Sequence, residues 1–256
     1  ITGASARSTI RLHSGTEIEV FNSEVTSSFT DSTLIVESSD QASILGSRLS
    51  ILGSGSGRLA IRSETSIAAV NSTFTSEATT SRTLEMNAPI VSLYDSILGR
   101  SIQFAGNTTA YLYNVTTPEV SALDQAFVYR YWWLTLHVVD SSGFPVTGAD
   151  VAVTSYRPGN ASAVAQGITG PGGTLRFQLL AETRSKDGWN FAGNYRVNAT
   201  FRSISTSEVG LSLGSNQEIS LVLPFTQSSL SLELTNEHVS YGATITLSGS
   251  LVPPAP

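Results

Sequence analysis

The residues able to do chemistry in this chain are few and scattered. Its three histidines, His13, His137 and His238, fall in separate regions, with no spacing that would bring two of them to one metal ion. No GxSxG, HExxH or glycine-rich phosphate loop occurs, and without cysteine there is no thiol nucleophile, thiolate metal site or disulfide. A polysaccharide-cleaving site would need carboxylates clustered on one strand face, to divide acid and base roles or to hold calcium. Glu17, Glu19, Glu37, Asp40, Glu64 and Glu85 fall instead in different columns of the repeat set out below. No catalytic residue, cofactor or metal site is expected, and the chain reads as non-enzymatic.

Two other chemistries are available. Asn71, Asn107, Asn114, Asn160 and Asn198 each precede a Ser or Thr by two residues with no intervening Pro, the acceptor pattern for N-glycosylation. Asn107, Asn160 and Asn198 are the favoured acceptors, because Asn71 and Asn114 are also turn residues of the repeat, and an Asn stacked inward in a ladder cannot carry a glycan. Aromatic rings gather at Phe127, Tyr129, Tyr131, Trp132 and Trp133, where they either glue two domains together or stack on sugars.

Composition narrows the partners. Charged residues make up 13% of the chain, the formal charge is −6 and Lys186 is the only lysine. With no basic stripe to release counterions, nucleic acid is not an expected partner. No apolar run reaches the roughly eighteen residues that cross a bilayer, so no membrane span is expected within this segment. The first residues, ITGASARS, lack the charged and apolar regions of a signal peptide, and the chain begins at Ile1, so a mature or excerpted segment of a longer precursor is expected.

The elements that must position these residues are set by a period. Apolar pairs two residues apart recur at Ile10 and Leu12, Leu34 and Val36, Leu59 and Ile61, Leu84 and Met86, and Ile102 and Phe104. Each is followed by a second pair: Ile18 and Val20, Ala42 and Ile44, Ile67 and Ala69, Val91 and Leu93, Ala110 and Leu112. Spacing by two marks one face of a strand. Two residues beyond each second pair stands Asn22, Gly46, Asn71, Asp95 or Asn114, types that tolerate a left-handed turn. Four of these turns continue with Ser and an apolar residue that opens a third short strand, and the turn residues follow one another at intervals of 24, 25, 24 and 19. The pattern resembles a parallel β-helix, whose rungs gain stability only by stacking and whose ends need caps.

Thr117 as N-cap, Pro118 at the first helical position, and Val120, Leu123 and Phe127 at helical spacing predict a short capping helix. Strand alternation also predicts an outward column of Phe21, Leu45, Val70, Tyr94 and Tyr113, either stacked on itself and covered by the chain's own loops or serving as a subunit contact.

From Tyr131 to Phe225 the pattern changes to about seven alternating strands broken by Gly, Pro and Asn turns, the rhythm of a sandwich. The stretch LTLHVVDSSGFPVTGADVAVTSY, with Asp140, Gly143, Pro145, Val146, Gly148 and Ala149, resembles the first hairpin of carboxypeptidase regulatory-like or transthyretin-like sandwiches. That family implies a spacer, adhesion or assembly module with no catalytic residues. Residues 226–256 resemble the opening of Ig-like repeats of bacterial and archaeal surface proteins, or else supply a strand to a neighbouring sheet.

The expected class is therefore all-β: a parallel β-helix of about five coils over 1–117, a capping helix and linker over 118–130, an Ig-like or transthyretin-like β-sandwich over 131–225, and the first strands of a further Ig-like domain over 226–256. The expected role is a structural part of an extracellular cell-surface assembly, an S-layer, filament, pilus or adhesin stalk. It would build a homo-oligomer or polymer by surface contacts or strand addition. Composition resembles archaeal surface glycoproteins. The alternative is a carbohydrate-binding or carbohydrate-cleaving β-helix protein with accessory sandwiches, so glycans stand as possible partners.

Overall fold

A computed structural model describes residues 9–27, 32–52, 57–76, 84–157, 160–192, 194–227, 230–233 and 248–251. His238 lies outside them. Alternation dictates strands throughout, and no helix occurs among the described residues. The chain divides into two compact units: residues 1–134 with 177–194 and 211–217, and residues 135–176 with 195–210 and 218–256. Segment 177–194, read from sequence as part of the sandwich, thus belongs with the repeats.

The first repeat contributes β1 (Thr9–Ser14), β2 (Ile18–Phe21) and β3 (Glu24–Ser27), and the second β4 (Thr33–Ser38), β5 (Gln41–Leu45) and β6 (Arg48–Ile51). The third supplies β7 (Arg58–Ser63), β8 (Ser66–Val70) and β9 (Thr73–Ser76), and the fourth β10 (Leu84–Asn87), β11 (Ile90–Tyr94) and β12 (Ile97–Leu98). The series ends with β13 (Ile102–Phe104), β14 (Thr109–Tyr113), β15 (Val120–Ala122) and the start of β16 (Phe127–Asp140).

Successive strands enter three sheets in turn, ordered β1-β4-β7-β10-β13-β15, β2-β5-β8-β11-β14-β16 and β3-β6-β9-β12. Within each, repeats pair in parallel and without slippage: Leu34 opposes Ile10 and Leu59, and Ile44 opposes Val20 and Ala69. A one-residue slip would turn every apolar pair to water, so burial of one face fixes the register. The predicted rows are the core. Leu34, Val36, Ile44, Leu49, Phe74, Met86, Leu93 and Phe104 are all buried.

The predicted capping helix is a strand. Val120 and Ala122 alternate as well as they suit a helix, and β13 offers a free edge, so β15 pairs with it, Ile102 opposite Val120 and Phe104 opposite Ala122. Backbone bonds from Ile102 N to Glu119 O and from Leu123 N to Phe104 O hold the join. Leu123 and Phe127, which would have shared a helical face with Val120, are exposed.

What closes this end comes from far along the chain. After β17 (Asp150–Arg157) and β18 (Asn160–Ile168), β19 (Thr174–Ser185) and β20 (Gly188–Phe191) form a hairpin that continues the second sheet beyond β16. Arg130 opposes the inward Leu112, so a cation stands where the apolar row would go on. Its Nη1 lies 3.4 Å from the buried Glu182 carboxylate and its Nη2 donates to Val115 O at 3.1 Å. Arg184 meets the same carboxylate at 3.3 Å and donates to Val120 O at 2.5 Å. Burial pulls the Arg130 pKa down from its usual value, opposed by the Glu182 charge. The end is thus capped by an ionic layer.

In the second unit β17 lies between β18 and β21 (Tyr195–Phe201), antiparallel to both, with β22 (Ile204–Leu211) beyond β21. β23 (Gln217–Leu223) pairs with β16. Leu136, Val138, Val151, Val153, Val197, Ala199, Leu221 and Leu223 form its buried apolar interior. Asp140, also buried, accepts from the Ser142 and Phe144 amides through Oδ1 and from Gln227 N through Oδ2, at 2.8–2.9 Å. Burial works to raise its pKa, but these amides and that of Gly143 outweigh it and hold the carboxyl below its ordinary range. Gly173 (φ 68°) is required here, since a Cβ would sit 2.4 Å from Val138 O. The described parts of the last segment, β24 (Leu230–Glu233) and β25 (Ser248–Leu251), pair antiparallel.

Candidate functional site

The outward column predicted from sequence exists as one register line on the second sheet. Phe21 opposes Leu45, Leu45 opposes Val70, Val70 opposes Tyr94, Tyr94 opposes Tyr113, and Tyr113 opposes Tyr131. Phe21 is 61% exposed and Val70 and Tyr94 37% each, while Leu45 and Tyr113 are half-buried. Tyr111 and Tyr129 form a second short column beside it, opposing one another in the same pairing. Ile90, at 49%, and Phe127, at 50%, widen the apolar face.

Strand spacing sets how the rings stack. Neighbouring strands are about 4.8 Å apart, so side chains in register must lie at that separation. Tyr94 and Tyr113 stack at 4.6 Å with planes 10° apart, and Tyr113 and Tyr131 at 4.7 Å and 23°. Both faces of Tyr113 are therefore covered by other rings, and the column turns ring edges and hydroxyls outward. A sugar, which packs a C–H face on a ring face, finds no face at Tyr113. Burial first, then the surrounding tyrosines, push the Tyr113 and Tyr131 phenols above their ordinary pKa, which keeps them protonated donors.

The turns that follow keep this column straight. Asn22, Gly46, Asn71, Asp95 and Asn114 all have φ between 43° and 57°. Each donates its N–H to the column residue of the next repeat: Asn22 to Leu45 O, Gly46 to Val70 O, Asn71 to Tyr94 O, Asp95 to Tyr113 O and Asn114 to Tyr131 O, at 2.9–3.0 Å. A Cβ at Gly46 would meet Asn22 Oδ1 at 2.4 Å, so a side chain there would have to push the Asn22 amide aside. The next residue supplies a buried hydroxyl ladder. Ser23 N donates to Ser47 Oγ, Ser47 N to Ser72 Oγ and Ser72 N to Ser96 Oγ at 3.1–3.2 Å. Val115 stands at the equivalent place after Asn114, where the ladder stops.

The remaining predicted residues are placed separately. Trp132 is 6% exposed with the Arg130 guanidinium 4.7 Å from its ring centre, so it packs at the ionic end rather than on an exposed face. Trp133 is half-buried, and its N–H donates to Asn216 Oδ1. Asn71 is exposed, contrary to the inward placement expected of a ladder Asn, since the left-handed turn throws its side chain out. Asn107 is exposed at a bend. Asn114 has its amide engaged: Nδ2 donates to Asp95 Oδ1 at 2.6 Å, and Oδ1 accepts from Asn216 at 2.7 Å. Asn160 opens β18, and Asn198 lies within β21, donating to Thr200 Oγ1 at 3.2 Å.

Among the described residues no three His, Asp or Glu side chains gather to hold a metal ion, and no helix is long and apolar enough to cross a membrane. Sequence reasoning missed Glu182 and Arg184 of the ionic cap and Tyr111 of the tyrosine face, and it grouped Tyr129 and Tyr131 with the junction aromatics rather than with the column.

No protein-family model matches the chain, and no curated protein matches it. Among solved structures it is similar to the shaft pilin SpaA from Lactobacillus rhamnosus GG, with 13% identity and a TM-score of 0.28 over 39% of this chain and 52% of the pilin. The E269A/D295N double mutant of that pilin gives 14% identity and a TM-score of 0.27 over 40% and 52%. The match spans about half of the pilin chain.

Proposed function

We propose that this chain is a non-catalytic structural module of an extracellular surface assembly, whose copies join through the Phe21–Leu45–Val70–Tyr94–Tyr113 column. In this reading the repeats form a parallel β-helix, a stiff rod, and the second unit is an Ig-like or transthyretin-like sandwich acting as a spacer. The carrying observation is the column itself, an apolar and tyrosine face held in one register line and exposed at Phe21, Val70 and Tyr94. Soluble monomers rarely leave such a patch bare. Its regular spacing suits a mate with the same spacing, which another copy supplies. Glycans on the exposed Asn71 and Asn107 would leave this face clear only if they point along neighbouring edges, and they belong to the same reading as surface decoration.

Sedimentation velocity on the full chain tests it. Wild type is expected to associate as concentration rises, and the Phe21→Ser/Tyr94→Ser double variant to remain monomeric while still melting cooperatively. A wild type that stays monomeric throughout, or a double variant that associates equally well, would overturn the proposal.

A further inference from the structure

The tip of the β19–β20 hairpin carries a second aromatic site of different geometry. Trp189 and Phe191 are 57% and 52% exposed. Trp189 opposes Arg184 in the hairpin, with the guanidinium 5.0 Å from its ring centre, and the Phe191 ring stands edge-on to it at 4.4 Å. Arg184 is itself tied to Glu182 and to Val120 O. The indole is therefore fixed in position before any ligand arrives, which lowers the ordering cost of binding.

A hollow of about 280 Å³ adjoins it, lined by Phe127, Thr183, Ser185, Asp187, Trp189 and Asn190 together with Arg184 and Gly188. Trp189 supplies apolar area on one face of the hairpin and Asp187 supplies a carboxylate at its turn, whereas Thr183 and Asn190 pair on the opposite face. Volumes near the lower end of the roughly 300–1,000 Å³ found for ligand pockets suit one or two sugar rings better than a peptide segment. One cation and one anion line the hollow, which favours a neutral polyol over a phosphate or a fatty chain.

We propose that this hollow binds a neutral pyranose unit of an oligosaccharide, with Trp189 packing against its C–H face and Asp187, at the turn, accepting from its hydroxyls. The site is separate from the column proposed for assembly, and each stands or falls alone.

The test is a glycan array probed with the full chain, one arm carrying N-linked glycans and the other plain polysaccharide fragments, followed by titration of intrinsic tryptophan fluorescence with the best-bound oligosaccharide. Binding to either arm is expected, with Trp189→Ala weakening it at least tenfold, Asp187→Ala weakening it several-fold, and both variants still melting cooperatively with the wild-type sedimentation profile. The arm that binds identifies the source. No binding on either arm would overturn the proposal, as would Trp189→Ala leaving binding intact. Loss of self-association in Trp189→Ala without any glycan binding would overturn it too, by making the tip a contact between copies.

Discussion

At successive turns of the repeats Ser47, Ser72 and Ser96 perform one task over and over, whereas in the second unit Asp140 and Thr169 each perform theirs once. Ser72 Oγ accepts from Ser47 N and shares its one proton between Val70 O and Ile44 O, Ser47 does the same between Leu45 O and Val20 O, and Ser96 donates to Tyr94 O. Thr169 Oγ1 accepts from Ala149 N and donates to Val146 O, a junction with no copy elsewhere. Repetition spreads polar satisfaction along the sheets, so losing one rung's group leaves the rest intact. Where a single residue satisfies several backbone groups, its loss falls on all of them together.

The ionic cap belongs with the second pattern although it closes the repeats, and its removal should be the most damaging change. Glu182→Ala leaves Arg130 and Arg184 without their shared anion, at a cost of about 3–5 kcal/mol, read as a lower denaturation midpoint. Equal stability would mean the cap contributes nothing. Asp140→Ala should come next, at about 3 kcal/mol, because three amides lose a charged acceptor. Its pH dependence follows from the depressed pKa: the contribution is present above the unfolded value of about 3.9 and is lost as pH falls through the lower folded value. Acid titration of the wild type and of Asp140→Asn, monitored by circular dichroism, checks this. The wild type should lose more stability in that window than the variant does. Ser72→Ala should cost least, about 1–2 kcal/mol, since one buried amide and no charge is orphaned. A loss as large as that of Glu182→Ala would erase the contrast between serial and single satisfaction.

The same contrast explains what the sequence revealed. Rows such as Ala42–Ile67–Val91 were legible because each member stands four residues before a turn residue, and the outward column followed from alternation. The segment after Thr117 was misread because Val120, Leu123 and Phe127 fit a helix while Val120 and Ala122 fit a strand. The free edge of β13 decided between them, and an edge is not visible in local spacing. Glu182 could not be matched to Arg130 at a separation of 52 residues, since a unique pair has no period. Trp132 stood out as an aromatic at a junction, but nothing nearby in sequence showed that Arg130 would lie over its ring.

Removing one whole repeat tests the central claim most directly. Deleting Ser47–Asn71 joins Gly46 to Ser72, a turn residue to the serine that should follow one, and leaves every row in register. Stacked, interchangeable repeats predict a cooperatively melting β protein with a somewhat lower midpoint, whereas a chain left unfolded by this deletion would contradict them.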